Sequence, residues 1–359
     1  MYIKNFFDGC RVLVTGATGT IGQELVRQLL QLPVSEVRSV DNNESALFFL
    51  GENYRNNSRL QVFLADVRDV DKMIYMSNGI DFVFHAAALK HVPLCERSPF
   101  DAVQTNIIGV QNIIQAAIAN NVRKVLFTSS DKAVNSTNVM GTSKLMGERL
   151  ITAANALRQG GAEQTFASTR FGNVAGSHGS VIPLFCQQIE QGGPITLTDA
   201  NMTRFVMTLD DAIRLLMISM TLSKGGEVFV TKMPVVNIKD LAEVMIELLS
   251  PVFGYAPQTI EIMEIGARPG EKMYEELMNE EETRRALDTE QLFIILPAFR
   301  NIYENINYTY EGLASKKVHK AYNSAGIKPM DKDAIRKFLM RPNVLPKNIR
   351  LELKMRGVA

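Results

Sequence analysis

Short apolar runs alternate with helical patterning from Arg11 to Ser129, and that alternation leaves few folds open. Arg11–Thr15 (RVLVT), Glu36–Asp41 (EVRSVD), Leu60–Ala65 (LQVFLA), Phe82–Ala86 (FVFHA) and Lys124–Ser129 (KVLFTS) read as strands. Ile21–Leu32, Asn43–Tyr54 and the long pattern Ala102–Asn120 read as helices between them. Strands that are apolar almost throughout must be covered on both faces, the condition of a parallel sheet flanked by helices. The fold class predicted is α/β: a Rossmann-like doubly wound parallel sheet, with ligands at the carboxyl ends of its strands.

Beyond about Gly176 the pattern loosens. Helices are expected over Val181–Gln191, with Pro183 in the first turn, and over Leu209–Leu222 and Ile238–Leu249. Short strands are expected at Pro194–Thr198 and Ile260–Ile265. This suggests a nucleotide-binding domain over 1–175, a smaller C-terminal substrate-binding region over 176–327, interleaved with the first, and a basic extension over 328–359. The stretch Lys328–Arg356 carries nine Lys/Arg against three Asp/Glu and prolines at 329, 342 and 346. It reads either as a solvated extension or as a subunit-contact arm.

Composition narrows the partners. At 46% apolar, 359 residues suffice for one large domain or two unequal ones. A net charge of +1 gives no global attraction to nucleic acid or an anionic membrane, so a phosphate ligand would have to be met locally. Cys10, Cys95 and Cys186 are odd in number and widely spaced, which fits buried thiols in a reducing compartment. His85, His91, His178 and His319 form no metal-binding spacing, so no metal is expected. With no signal-peptide pattern and no spanning apolar run, a cytoplasmic protein is expected.

The segment Thr15-Gly16-Ala17-Thr18-Gly19-Thr20-Ile21-Gly22 joins the first strand to the first helix. In that position Gly16 permits the tight turn, Gly19 admits a pyrophosphate to the backbone, and Gly22 lets the helix pack close to the sheet. The helix N-terminus offers free N–H groups and a positive dipole end. Asp41 ends the second strand about twenty residues on, where a carboxylate binds both adenine-ribose hydroxyls and repels a 2′-phosphate. Its neighbours Asn42 and Asn43 supply no compensating charge, so NAD is expected over NADP. Arg38, inside the strand, is the one cation nearby. Asp66-Val67 could hold the adenine or simply cap the next helix.

These residues belong to a longer series: HAAALKHVP (85–93), TNIIG (105–109), SSDKAVN (129–135), MGTSK (140–144), RFGNVAGSHGSVIPLF (170–185), MTRFVM (202–207) and RPGEKMYEEL (268–277). In this order they resemble the extended short-chain dehydrogenase/reductases, and within them the UDP-N-acetylglucosamine 4,6-dehydratases of polysaccharide biosynthesis. The resemblance covers about Asp8 to Met278. It implies that Lys144 binds the nicotinamide ribose and that Met140 stands where the superfamily has a catalytic tyrosine. A thioether has no proton to exchange, so Met140 cannot be the general base. The resemblance further places Ala86, Ala87, Ala88, Lys90 and Phe171 at the cofactor. Asn106 would hold a helix kink and a water, unless it is only a buried structural amide. Lys90, His91, Asn173, Val181, Arg204 and Arg268 would lie at the nucleotide sugar, with Glu271 on the nucleotide ribose.

The implied reaction is internal. Hydride passes from C4 to NAD, Lys132 removes the C5 proton, Asp131 protonates the leaving C6 hydroxyl, and hydride returns to C6. Lys132 must be neutral and Asp131 protonated when the C6–O bond breaks, the opposed states that mark acid–base pairs. Asp131 or Ser130 would serve the 4-hydroxyl. The expected partner is a UDP- or GDP-linked N-acetylhexosamine, and the expected assembly a homo-oligomer. A 4-epimerase would share the redox step but needs a tyrosine at 140 and no C5 base. A non-catalytic NAD-binding scaffold would have no need of Lys144 or the Asp131-Lys132 pair.

Overall fold

The computed structural model describes residues 2–157, 164–177, 179–266, 270–299, 306–310, 314 and 316–357. The chain divides into two compact units. One comprises Met1–Phe171, Ile213–Lys232 and Met278–Ala321; the other comprises Gly172–Ala212, Met233–Leu277 and Tyr322–Ala359.

The first unit is built on the predicted strands, β1 (Arg11–Thr15), β2 (Glu36–Asp41), β3 (Leu60–Leu64), β4 (Phe82–His85) and β5 (Lys124–Ser130), and on one that composition hid, β6 (Thr165–Phe171). All seven residues of β6 (TFASTRF) are buried, although four of them are polar. Its interior place comes from pairing with β5 on one side and Val228–Thr231 on the other, not from its own hydrophobicity. The order β6-β5-β4-β1-β2-β3 is parallel throughout and reverses direction of travel between β1 and β4. That reversal point is where a doubly wound sheet binds its ligand. Beyond Val228–Thr231 the sheet turns antiparallel, adding Leu292–Ile295, Ala286–Asp288 and Lys316–Lys317 to make ten strands.

The helices run Thr20–Leu29, Glu44–Asn53 and Val70–Met76 in the first part, the last capped by Asp69, whose side chain accepts from Lys72 N. The long apolar pattern is not one α-helix. Pro99–Val103 leads into a π-helical turn at Gln104–Ile108, and Gly109–Ala119 continues. Val139–Ala154 follows β5. Leu13, Val83, Val125, Phe127 and Phe166 from the sheet form the core with Ile113, Ala117 and Ile151.

The second unit holds a three-stranded sheet, ordered Val235–Asn237, Thr203–Met207, Asn173–Val174, and a two-stranded one of Ile195–Leu197 and Ile262–Glu264. Its core gathers Ile182, Phe185 and Ile189 with Leu241, Met245 and Leu249. The basic C-terminal stretch, expected to be a solvated extension or an arm, completes this core. It forms helices Lys332–Leu339 and Lys347–Met355, whose Ile335, Phe338, Leu339, Ile349 and Leu353 are buried there. The charge that suggested solvation sits on the outer faces, where Lys332 meets Glu243 at 2.6 Å and Arg341 meets Asp211 at 3.1 Å. Among the described residues, no helix is long and apolar enough to cross a membrane.

Phe338→Ala should therefore destabilise the protein by about 3–5 kcal/mol in urea unfolding, as for a core aromatic. The exposed Lys337→Ala should stay within about 0.5 kcal/mol. Equal, small effects would return the segment to a solvated arm.

Candidate active site

A cavity of about 660 Å³ opens at the carboxyl ends of β1, β2, β3 and β4. Of the residues expected at the cofactor, Gly16, Thr18, Gly19, Asp41, Asn42, Asp66, Val67, Ala86, Ala87, Ala88 and Lys90 line it, together with His91, expected at the sugar; Thr15, Thr20, Ile21, Gly22, Asn106, Lys144 and Phe171 are not in its lining. Gly16 has φ +66°. A Cβ on it would lie 2.6 Å from Ala87 N and 2.8 Å from the Ala86 carbonyl carbon, so the glycine loop and the chain after β4 touch backbone to backbone. A Cβ on Gly22 would lie 2.1 Å from the Gly16 carbonyl oxygen. Gly22 thus closes the helix onto its own loop, where the sequence reading had it closing onto the sheet.

Side chains hold this frame. Thr18 N donates to Asp41 Oδ2 at 3.0 Å, fastening the glycine loop to the end of β2. Arg38, the neighbouring cation, is engaged elsewhere: Nε donates to Glu36 and Nη1 to the carbonyls of Met76 and Asn78. Asp66 accepts three bonds from the Arg68 side chain and one from Asn42, and Arg68 holds its carboxyl down at about 2. The capping role weighed for Asp66 falls to Asp69. Sequence reasoning passed over His85, which is fully buried at the end of β4. Thr15 Oγ1 accepts from Ala87 N at 3.3 Å and shares a hydrogen bond with His85 Nδ1 at 2.7 Å. Burial, then the charge of Lys144, pushes His85 down to about 3.

At the end of β5 the chemistry-bearing residues come together. Asp131 is 3% exposed. Its Oδ1 accepts from Ser130 Oγ at 2.6 Å, and Lys132 Nζ donates to Oδ1 and Oδ2 at 3.1 and 2.9 Å. Ser130 also caps the short turn Asp131–Ala133 by accepting from Lys132 N. The Lys132 side chain remains one-third exposed, so the pair has a buried acid end and a solvent-facing amine end. Lys144 is buried on the helix after β5; its Nζ donates to the Thr128 carbonyl at 2.9 Å and lies 4.6 Å from the centre of the Phe127 ring. Burial brings it down to about 8, against an opposing pull from Glu148. Met140 is buried with Cys95 and Ala102 and presents no proton.

Asn106 lies in the π-helical turn. Its Oδ1 accepts from Leu89 N at 2.8 Å, and Nδ2 donates to Leu89 O and to Ser143 Oγ, each at 2.9 Å. Of the two readings, the buried structural amide is the one these contacts describe. Phe171 ends β6 and is buried.

Of the residues expected at the nucleotide sugar, Asn173, Val181, Arg204 and Glu271 lie in the second unit, and Arg268 and His178 lie outside the described residues. Asn173 and Arg204 converge on a residue not anticipated, Glu275, which is 5% exposed, and Glu271 reaches Arg204. Asn173 Nδ2 donates to both Glu275 oxygens and to Phe205 O. Arg204 lies 3.3 Å from Glu275 and 3.5 Å from Glu271. The signal for Glu275 was its place in the segment 268–277. Val181 only opens the helix Val181–Glu190. Among the described residues, no cluster of His, Cys, Asp and Glu could hold a metal.

The site has close relatives. The chain matches the family described as polysaccharide biosynthesis protein over residues 12–297. It is 47% identical over 337 residues to an uncharacterized membrane protein of Methanocaldococcus jannaschii, covering 94% of this chain and 97% of that one. It is 42% identical over 299 residues to the probable polysaccharide biosynthesis protein EpsC of Bacillus subtilis, covering 81% of this chain but only 48% of EpsC. A protein of Rickettsia felis named UDP-glucose 4-epimerase is 36% identical over 336 residues, covering 92% and 95%. Among solved structures, Pen from Bacillus thuringiensis is 42% identical with a TM-score of 0.87, covering 95% of this chain and 100% of Pen. A dTDP-glucose 4,6-dehydratase from Streptomyces venezuelae shares the fold at a TM-score of 0.66 and 23% identity, over 73% of this chain and 86% of that one. With the match running through both the glycine loop and the Asp131-Lys132 pair, this chain belongs to the polysaccharide biosynthesis protein family.

Proposed function

We propose that this protein is an NAD-dependent nucleotide-sugar 4,6-dehydratase, with UDP-N-acetylglucosamine as its substrate. The observation that carries this reading is the buried Asp131, bonded to both Ser130 and Lys132 at the end of β5, beside Lys144 and with Met140 at the tyrosine position. An epimerase has no use for a C5 base and needs a proton-exchanging group at 140. The relative named UDP-glucose 4-epimerase keeps that second reading on the table.

The cavity fits a dinucleotide: its floor is backbone that a Cβ would fill, at a helix N-terminus suited to a pyrophosphate. Asp41 would take the adenine-ribose hydroxyls and Lys144 the nicotinamide ribose. With Arg38 turned to Glu36 and to backbone carbonyls, the cation that weighed in favour of a 2′-phosphate is committed, which favours NAD. A nicotinamide bound there would supply the hydride acceptor and donor that C4 and C6 require.

The protons balance within the pair. The proton of the 4-hydroxyl passes through Ser130 Oγ to Asp131, 2.6 Å away. Asp131 gives it to the departing C6 hydroxyl, and water leaves. Lys132, once the proton of its ion pair with Asp131 has been lost to solvent, takes the C5 proton and later restores it, so both residues end the cycle as they began it. The Lys132 side chain is one-third exposed, which leaves it open to a sugar. In the second unit, the polar cluster around Glu275 would orient Arg204 toward a diphosphate.

Mass spectrometry of UDP- and GDP-N-acetylglucosamine, each incubated with the protein and no added reductant, should show loss of one water from the UDP sugar and no net NADH. Loss from the GDP sugar alone would correct the nucleotide, and a mass-neutral C4 isomer would establish the epimerase. Lys132→Ala should lower turnover by about 10²–10⁴, the usual contribution of a general base, while NAD affinity holds. Asp41→Ala should weaken NAD binding by about 10–100-fold and erase the preference over NADP, from the loss of charged hydrogen bonds worth about 1.5–3 kcal/mol.

A further inference from the structure

One turn beyond Lys144 on the same helix, Glu148 is 3% exposed. Both its oxygens are held by Arg170 of β6: Nε donates to Oε1 at 2.9 Å and Nη2 to Oε2 at 2.8 Å. Arg170 is 1% exposed, and it donates again, from Nη1 and Nη2, to both oxygens of Glu282 at 2.8 and 2.7 Å. Glu282 is itself fixed as the third residue of a capping box, accepting from Asn279 N. Three charges are thus removed from water around one guanidinium, at a desolvation cost of several kcal/mol per ion that apolar side chains of the same size would avoid. An anchor for the helix does not require this arrangement. A carboxylate in a fixed position does.

We propose that Glu148, clamped by Arg170 and Glu282, is a positioning residue for Lys144: it holds a negative charge one helical turn away and keeps the buried ammonium charged for the cofactor ribose. The proposal rests on the reading of Lys144 as the ribose-binding lysine. The clamp matters because a free Glu148 could swing onto Lys144 as an i,i+4 partner and draw Nζ off the Thr128 carbonyl. Bonded at both oxygens to Arg170, it acts by its field and not by contact. The other titratable groups that bear on Lys144 are Cys95 on Val92–Arg97 and His85 on β4; the elements packed against its helix also carry Glu96, Arg97 and Asp101, Asp131 and Lys132 in the turn after β5, and Arg170 itself. His85 stays neutral, Cys95 is a thiol raised by burial, and Asp131 is matched by Lys132. That leaves Glu148 as the carboxylate whose removal changes the balance at Lys144.

The test is the pH dependence of NAD affinity in the full chain, from pH 6 to 9.5, for the native protein, Glu148→Gln and Glu148→Asp. Native affinity should fall on the alkaline side with a midpoint near the value of about 8 set for Lys144. Glu148→Gln keeps an acceptor for Arg170 but loses the charge. Its midpoint should move down by about one pH unit, about fivefold weaker binding at pH 8 and about tenfold weaker above pH 9, with affinity at pH 6 little changed. Glu148→Asp should restore the native midpoint even if it melts earlier. A lower melting temperature with an unmoved midpoint in Glu148→Gln would make the triad a structural anchor only and overturn the inference. Titrating the Lys144 side chain by NMR in the cofactor-free chain gives the same midpoint independently. Absence of NAD binding in the native protein would refute the cofactor reading, and the NMR shift would then decide this inference alone.

Discussion

The backbone contact between Gly16 and Ala86–Ala87 underlies much of what the first unit can do. Two loops from strands on either side of the sheet's reversal point meet with no side chain between them, because a Cβ at Gly16 would lie inside van der Waals distance of Ala87. The contact is stabilised from below by Thr15, whose hydroxyl accepts from one loop and shares a hydrogen bond with a buried, uncharged imidazole. Once these loops are fixed, Asp41 is fixed through Thr18, and the cavity acquires its floor. A parallel sheet supplies such a meeting place as a consequence of its topology, and glycine allows it to close.

The end of β5 and the helix after it depend on a different physical principle. Asp131, Glu148, Arg170 and Glu282 are ionisable groups taken out of water, each stabilised by charge-assisted bonds rather than by solvent. The same low-dielectric surroundings that make such groups costly make a proton shift between neighbours easy and a distant charge effective. In the proposed reaction Asp131 and Lys132 would use the first property, and Glu148 with Lys144 the second. One stretch of chain, from the end of β5 through the following helix, carries Asp131, Lys132, Lys144 and Glu148.

The sequence made local features legible and left cross-chain ones hidden. The strands β1 to β5, the glycine loop and the Asp131-Lys132 pair lie within short windows where residue type and spacing carry the information. β6 escaped because its burial comes from neighbouring strands, while its Thr, Ser and Arg suggest a surface. The helices of 332–355 were misread for the opposite reason: their charges dominate the composition, while five apolar residues at helical spacing do the packing. Glu275 and Glu282 could not be found from spacing at all. Each gains its meaning from a partner about a hundred residues away, Asn173 in one case and Arg170 in the other.

The π-helical turn at Gln104–Ile108 has a consequence for how this chain can vary. A π-turn is an α-helix with one residue too many, so removing one residue there would leave a more regular helix with its flanks in phase. The bulge is what sets Asn106 against both Leu89 and Ser143, tying the cavity wall to the helix of Lys144. A shortened chain would gain a sounder helix and lose that clasp. The irregularity is thus a form of length memory: homologous chains that keep the clasp must also keep the extra residue, and alignments that close the gap would misplace the amide by one position.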